Sequence, residues 1–194
     1  IISFAAGNDK TLNPDLDENG DRTPIRLVPG ENGADNTLLL SGGVVVQYTD
    51  TRKNRNLQIS GVRAVVFLQP GPVTQLTTFG ADAVKGIYLE GDVVATDGRY
   101  SIRGPKVYYD MQTQQAVMVD AVFWTYDEQR GLPLYVRARE IRQLAANQWQ
   151  ASSARLATTS FFDPVFSLGA SSVTITRRID PNAGAGRGTR TASA

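Results

Sequence analysis

Between Thr37 and about Ile179, apolar and polar residues alternate in short runs that are separated by turn-forming residues. Val, Ile, Tyr, Phe and Thr dominate the runs, and alternation with a period of two is typical of strands with one buried face. The breaks between runs include Thr51-Arg52-Lys53-Asn54, Gln69-Pro70-Gly71-Pro72, Asp97-Gly98 and Asp163-Pro164. The pattern predicts an all-β domain over residues 37–179.

A short phrase recurs within these runs: an apolar residue, then Gly or Ala two positions later, then another apolar residue three positions further on. It occurs as Ile59-Gly61-Ala64, Ile102-Gly104-Val107, Val136-Ala138-Ile141, Trp149-Ala151-Ala154 and Leu168-Ala170-Val173. Because side chains alternate in an undisturbed strand, the third position would face away from the first two. A bulge or corner beside the small residue would return it to the same face. The recurrence therefore predicts stacked antiparallel repeats of bent strands.

A second phrase alternates with the first along the chain. It occurs as Leu40-Ser41-Gly42-Gly43-Val44-Val45, as Leu89-Glu90-Gly91-Asp92-Val93-Val94 and, more loosely, as Met118-Val119-Asp120-Ala121-Val122-Phe123. Small or turn-forming residues lie at its centre, which again indicates a corner within a strand.

The two ends of the chain differ from this central domain. Residues 1–36 are rich in Asp, Asn, Gly and Pro, which predicts an irregular lead-in with a possible first strand over residues 23–28. Residues 180–194 contain almost no large apolar residue, which predicts a flexible tail. The segment from Val136 to Gln148 carries good helix formers, but the first phrase favours a strand through Ile141.

Composition removes several classes of chemistry. The chain has no cysteine and no histidine, which excludes thiol nucleophiles, imidazole bases and zinc sites built from these residues. The formal net charge is only +1, so no strong field favours nucleic acid as a partner. No apolar run approaches the roughly 20 residues of a membrane-spanning helix.

The segment LEGDVVATDGRYSIRGPKVYYDMQTQQAVMVDAVFWTYDEQRGLPLYVRAREIRQL, followed by LGASSVTI, resembles the OstA-like domain of lipopolysaccharide-assembly proteins. The shared marks are a G-x-V strand, a strand that ends in R-G/A-x-x-V/I, and a turn such as Tyr109-Asp110. Together with TPIRLVPG, LLLSGGVVVQ and LQISGVRAVVFL, the resemblance covers roughly residues 23–175. It implies an OstA-like β-jellyroll of stacked antiparallel strands, which forms a partly open trough and is neither an enzyme nor dependent on a cofactor.

The same resemblance implies a role in lipopolysaccharide transport or assembly at the outer membrane. The implied location is the periplasm or the periplasmic face of that membrane. The implied partners are lipopolysaccharide or a related lipid, other jellyroll proteins that join by edge-strand addition, and further copies of the chain. Because the chain has no room for the membrane barrel of the large assembly proteins, we expect either the soluble part of a longer protein or a stand-alone periplasmic relative.

Lipid binding of this kind needs apolar area, since an acyl chain gains about 0.8 kcal/mol per buried methylene. Alternation and the first phrase together give a set of residues expected to face the trough interior. These residues are Leu89, Val93, Ile102, Val107, Val119, Phe123, Leu134, Val136, Ile141, Phe166, Leu168 and Val173. For each of them the alternative is ordinary packing in a closed core, as in a non-enzymatic scaffold or an oligomerising module.

Charged residues suggest two further sites. Arg103, Lys106, Arg137 and Arg139 could follow the trough rim and meet lipid phosphates, with surface solubility as the alternative. Asp15, Asp17, Asn19 and Asp21 match the opening of a calcium loop. Arg26 stands where that loop needs a glutamate, so we expect at most weak metal binding and favour a solvated loop.

A saccharide-active enzyme is the third functional hypothesis. Glu90 and Asp92 lie two positions apart on one strand face and could be taken for an acid and base pair. Charges on the solvent face of a strand explain these two residues better. The hypothesis would require a pair of buried carboxylates that face one cleft.

Overall fold

A computed structural model of the chain describes residues 1–9, 23–51, 55–127, 131–145, 148–161 and 164–176. The described residues form a 13-stranded antiparallel sheet with two short 3-10 turns, Glu31–Gly33 and Ala81–Ala83. The strands are β1 (Ile2–Ala5), β2 (Ile25–Val28), β3 (Asn36–Leu40), β4 (Val44–Asp50), β5 (Arg55–Gly61), β6 (Arg63–Leu68), β7 (Thr78–Phe79), β8 (Val84–Thr96), β9 (Tyr100–Asp110), β10 (Gln115–Asp127), β11 (Leu132–Ala145), β12 (Gln148–Ala157) and β13 (Leu168–Thr176). The sheet is not closed, and the predicted all-β, jellyroll-like fold is confirmed.

The long strands bend once near their middle, so the sheet divides into two half-sheets. The first half-sheet contains β2, β3, β6 and the segments 84–90, 106–110, 115–119, 140–145, 148–152 and 172–176. The second half-sheet contains β7, β1, β4, β5 and the segments 93–96, 100–104, 121–127, 132–138, 154–157 and 168–170. From β8 to β13 each strand pairs with the next, as stacked hairpins should.

Backbone hydrogen bonds continue around the bend. Gly43 donates to the carbonyl of Val62 at 3.2 Å, and Val62 donates to the carbonyl of Glu90 at 2.9 Å. These bonds join three neighbouring bends. One lies between β3 and β4, one between β5 and β6, and one within β8. The two half-sheets are therefore one folded sheet.

The second sequence phrase marks residues with left-handed backbone at the bend. Gly42 and Gly43 have φ of 75° and 81°, Gly91 and Asp92 have φ of 80° and 44°, and Asp120 has φ of 46°. A β-carbon on Gly91 would lie 2.6 Å from the side chain of Val62, so only glycine fits there. The corner predicted from this phrase is confirmed.

The first phrase marks strands whose buried side chains change parity at the bend. In β11, Val136 and Ala138 are buried before the bend, and Ile141 is buried after it. The same change occurs between Ile102 and Val107 in β9. It also occurs between Ala151 and Ala154 in β12 and from Ile59 to Ala64 across β5 and β6. The bend thus shifts the alternation of inward and outward side chains by one residue, as the phrase requires. All these residues therefore face the same interior.

The interior lies between the two half-sheets and contains one continuous apolar core. Three aromatic side chains link the halves at its centre. The ring of Trp149, from the first half-sheet, lies 4.7 Å from the ring of Tyr100 and 5.3 Å from that of Phe123, both in the second half-sheet. These contacts hold the two faces together by apolar burial and edge-on ring packing.

The lead-in contains a strand that the sequence pattern missed. β1 is only four residues long, and it exists because it pairs with β4 and β7. The possible strand over residues 23–28 is observed as β2, and β11 is a strand through Ile141 and beyond, as favoured over a helix. The tail over residues 180–194 lies outside the described residues.

Candidate functional site

Most of the side chains predicted to face the interior are buried there. Leu89, Val93, Ile102, Val107, Phe123, Val136 and Ile141 are each at most 7% exposed and belong to the continuous core. They come from β8, β9, β10 and β11, whose bends bring both halves of each strand to the same space. Their packing is that of a core, which was the alternative for each of them.

The inner face becomes more exposed toward β13. Val173 of β13, also predicted for the interior, is half-buried at the edge of the core, as are Leu156 and Ile175. Leu134 of β11 is also only half-buried. Within the described residues β13 pairs only with β12, so no further strand covers these side chains. We call Leu156, Leu168, Val173 and Ile175 the open end of the interior.

Leu168 lies on the predicted face but is not buried. It pairs with Leu156, which pairs with the buried Val136, so these three residues share the inner face. Leu168 is nevertheless 68% exposed, because it begins the edge strand and has a neighbour on one side only. The prediction of its face agrees with the structure, and the expectation of a covered position is wrong.

Two other interior predictions are wrong. Val119 is 38% exposed because the bend of β10 falls at Val119 and Asp120, which leaves Met118 and Ala121 as the inward residues. Phe166 is 87% exposed because it precedes β13 and belongs to the connection after β12. Alternation cannot be applied to either residue, since each lies where the strand is interrupted.

The centre of the interior is filled. A void of about 20 Å³ remains there beside Trp149, with Tyr100, Met118, Ile141 and Gln143 among the residues around it. A cavity needs about 10–15 Å³ to hold one water molecule, so this void has room for a group of about that size but not for an acyl chain. The interior is therefore not a continuous channel, and its accessible apolar surface lies at the open end.

Gln143 is a polar residue in this apolar interior. Its side chain is 5% exposed, and its Nε2 has no hydrogen-bond partner among the described residues. Leaving a buried donor unpaired costs about 1–3 kcal/mol. Gln143 was not among the residues predicted to face the interior, although it lies two positions after Ile141 and therefore on the same face of β11.

The basic residues proposed for the trough rim do not follow the edge of the interior. Arg103, Lys106 and Arg139 are exposed on the outer face of the sheet, beside the bends of β9 and β11. Arg137 is half-buried, and its Nη2 donates a hydrogen bond to the carbonyl of Ser160 at 2.6 Å. The sheet itself separates these cations from the interior, because side chains next to each other in a strand point to opposite faces.

The carboxylates considered for catalysis are also on the surface. Tyr88 donates a hydrogen bond to Glu90 at 3.0 Å. The pKa of Tyr88 is raised, mainly because its hydroxyl is partly removed from water and also because of this hydrogen bond. Glu140 accepts a hydrogen bond from Arg142 at 2.5 Å, which lowers the pKa of Glu140. No Asp or Glu is buried in the part of the chain that the structure describes. The buried pair that a saccharide-active enzyme would require is absent from those residues.

The candidate calcium loop at Asp15, Asp17, Asn19 and Asp21 lies outside the described residues. Among the residues that are described, no three His, Cys, Asp or Glu side chains come together as a metal site. In the same residues, no helix is long and apolar enough to cross a membrane.

Comparison of the sequence with models of protein families and with curated proteins finds no match in either case.

Proposed function

We propose that this chain binds lipopolysaccharide, or a related lipid, by its acyl chains at the open end of the interior, in transport or assembly of that lipid at the outer membrane. One observation carries the proposal: the bent sheet is not closed, and its apolar inner face is exposed at β13. The proposed location is the periplasm or the periplasmic face of the outer membrane.

The open end suits an acyl chain. Leu156, Leu168, Val173 and Ile175 belong to two neighbouring strands and present aliphatic side chains toward the same space. About six methylenes buried there would contribute about 5 kcal/mol, before the cost of association is subtracted. Because the centre is filled, the acyl chain would lie across the end of the interior rather than run through it.

A photoreactive amino acid at the open end tests this proposal. We expect benzoylphenylalanine at Val173 to label purified lipopolysaccharide, whereas the same group at Thr174, exposed on the outer side of the same strand, should not. Mass spectrometry of the protein purified from a Gram-negative host should also detect bound lipid. Equal labelling at the two positions, or none at Val173, would contradict acyl binding at this end.

The filled centre favours a second candidate, a lipid-free scaffold or oligomerising module. β13 has an edge without a neighbouring strand among the described residues, and such an edge can pair with another jellyroll protein or with a second copy. Sedimentation velocity separates the candidates. A lipid-free chain that associates with rising concentration, and that stays monomeric when Thr174 is replaced by Lys, would support the scaffold.

A further inference from the structure

A cluster of exposed apolar side chains lies where β12 connects to β13. Phe161 is 73% exposed, Val165 is 91% exposed and Phe166 is 87% exposed, and Leu168 at the start of β13 is 68% exposed. Large apolar side chains with so little contact in one short segment are unusual for a monomeric soluble protein, and such surfaces mark interaction sites.

The neighbouring turn brings further apolar residues to the same end of the sheet. β10 ends and β11 begins there, with Tyr126 51% exposed and Leu132 47% exposed. Tyr135 of β11 pairs with Ala157, the last residue of β12, so the turn and the connection are adjacent. The hydrogen bond from Arg137 to the Ser160 carbonyl attaches the connection to β11. We call Tyr126, Leu132, Phe161, Val165, Phe166 and Leu168 the apolar tip.

We propose that the apolar tip inserts into a lipid surface. This proposal does not require that the interior bind an acyl chain, because Leu168 is the one residue of the tip that also belongs to the open end. The insertion would place the ends of β10, β11 and β12 at the boundary between headgroups and acyl chains, as apolar and aromatic side chains of membrane-associated proteins do.

The degree of exposure favours lipid over a folded protein partner. Val165 and Phe166 contact almost none of their own protein, so they form no pocket or groove that a partner's side chain could fill. Protein interfaces gain their affinity from close-packed, complementary centres. A fluid hydrocarbon phase requires only apolar area and adapts its shape to whatever enters it.

The position of the tip supports the same occupant. Leu168 belongs both to the tip and to the open end of the interior, and it pairs directly with Leu156 on the inner face. Apolar surface is therefore continuous from the tip to the open end. A lipid surface in contact with the tip would lie next to the apolar inner face, whose exposure to water is unfavourable.

Flotation with neutral phosphatidylcholine vesicles tests the proposal on the full chain. We expect the native protein to float with vesicles, and the pair Phe161→Ser and Phe166→Ser to weaken partitioning by at least about 100-fold, since burying each phenyl ring is worth about 1.5–3 kcal/mol. Because both side chains are exposed, the variant should keep the native near-ultraviolet circular dichroism. Binding should persist in 1 M salt (roughly a 3 Å Debye length), since apolar burial drives it.

A matched control removes apolar residues elsewhere. Leu76 and Leu144 are 38% and 42% exposed and lie outside the tip, so Leu76→Ser with Leu144→Ser should leave vesicle binding within about two-fold of native. The proposal is wrong if the native chain does not float, if the control loses as much binding, or if salt releases the protein. Self-association without vesicles that the tip variant abolishes would instead identify a protein interface. Labelling at Val173 reports on the interior separately, so the two proposals can fail independently.

Discussion

Asn36 is one of the few buried polar residues in the described part of the chain, and its amide joins two connections. Its Oδ1 accepts a hydrogen bond from the backbone of Gly30 at 2.9 Å. Its Nδ2 donates to the carbonyls of Gln69 at 3.3 Å and Gly71 at 2.8 Å. The side chain thus satisfies backbone groups on both sides of β3 that would otherwise be left unpaired.

We expect Asn36→Asp to lower the free energy of unfolding by about 2–4 kcal/mol, since a carboxylate cannot donate to the two carbonyls and is only partly solvated there. Urea unfolding measures the change. The control is Asn56→Asp on the exposed side of β5, where the same substitution should cost at most about 0.5 kcal/mol. Similar losses at the two sites would show that the hydrogen bonds of Asn36 are not the cause.

Glu140 and Arg142 form an exposed pair on β11 whose hydrogen bond lowers the pKa of Glu140, with the positive charge of Arg142 acting in the same direction and partial burial opposing it. A carboxyl group with a lower pKa in the folded state stabilises the fold above its unfolded pKa of about 4.3. That stabilisation is lost as the pH falls through the lowered folded value. We expect a small effect, because solvent screens the pair.

A carbon-13 titration should therefore show Glu140 ionising at lower pH than a glutamate in an unfolded peptide. Arg142→Gln should return the Glu140 pKa toward its ordinary value and remove its contribution to acid stability. If the pKa of Glu140 is the same in the native chain and in Arg142→Gln, the pair does not form in solution.

At the scale of elements, the bend determines which side chains enter the interior. Asp120 has left-handed backbone at the bend of β10, a conformation that costs an L-residue roughly 1–2 kcal/mol. We expect Asp120→Gly to raise the free energy of unfolding by about 0.5–1 kcal/mol, and Asp120→Val to lower it by about 1–2 kcal/mol, because a β-branched residue strongly resists φ near 46°.

The control is Arg103, which is exposed in the neighbouring strand β9 and is not among the residues with positive φ. Arg103→Gly should destabilise the protein by up to about 1 kcal/mol, since glycine weakens an extended strand. Opposite signs for glycine at the two positions are the decisive result in thermal or chemical unfolding. A loss at both positions would mean that the bend of β10 is not left-handed at Asp120.

The two phrases explain how much of this fold was predictable. The first phrase, with Gly or Ala between two apolar residues five positions apart, is visible in the sequence. It predicted the bends of β9, β11 and β12 and correctly placed residues such as Val136 and Ile141 in the interior. The second phrase also predicted the bend of β10 around Asp120, but this bend has no glycine, and alternation alone does not show which of its residues turns outward. Val119 was therefore placed on the wrong face.

At the scale of the whole molecule, the sequence could not show where the interior is filled and where it is open. Inward-facing residues have the same composition in both cases, and only the partners across the space decide the outcome. Trp149 fills the centre because Tyr100 and Phe123 face it from the other half-sheet. Leu168 and Val173 are equally apolar but have no strand beyond them among the described residues. The apolar tip was no easier to predict, since Phe166 and Leu168 were both expected to be covered in the interior and both are exposed.

Trp149 gives the final test, because it is the side chain through which the half-sheets meet. It is 1% exposed, and Trp149→Ala would leave a large cavity between two faces that cannot close without rotating about the bend. We expect a loss of about 3–5 kcal/mol in the free energy of unfolding. Trp124 is only half-buried on the outer face of β10, so Trp124→Ala should cost clearly less, roughly 1–2 kcal/mol. Comparable losses for the two variants would mean that the aromatic contacts do not join the half-sheets, because an outer-face tryptophan cannot bridge them.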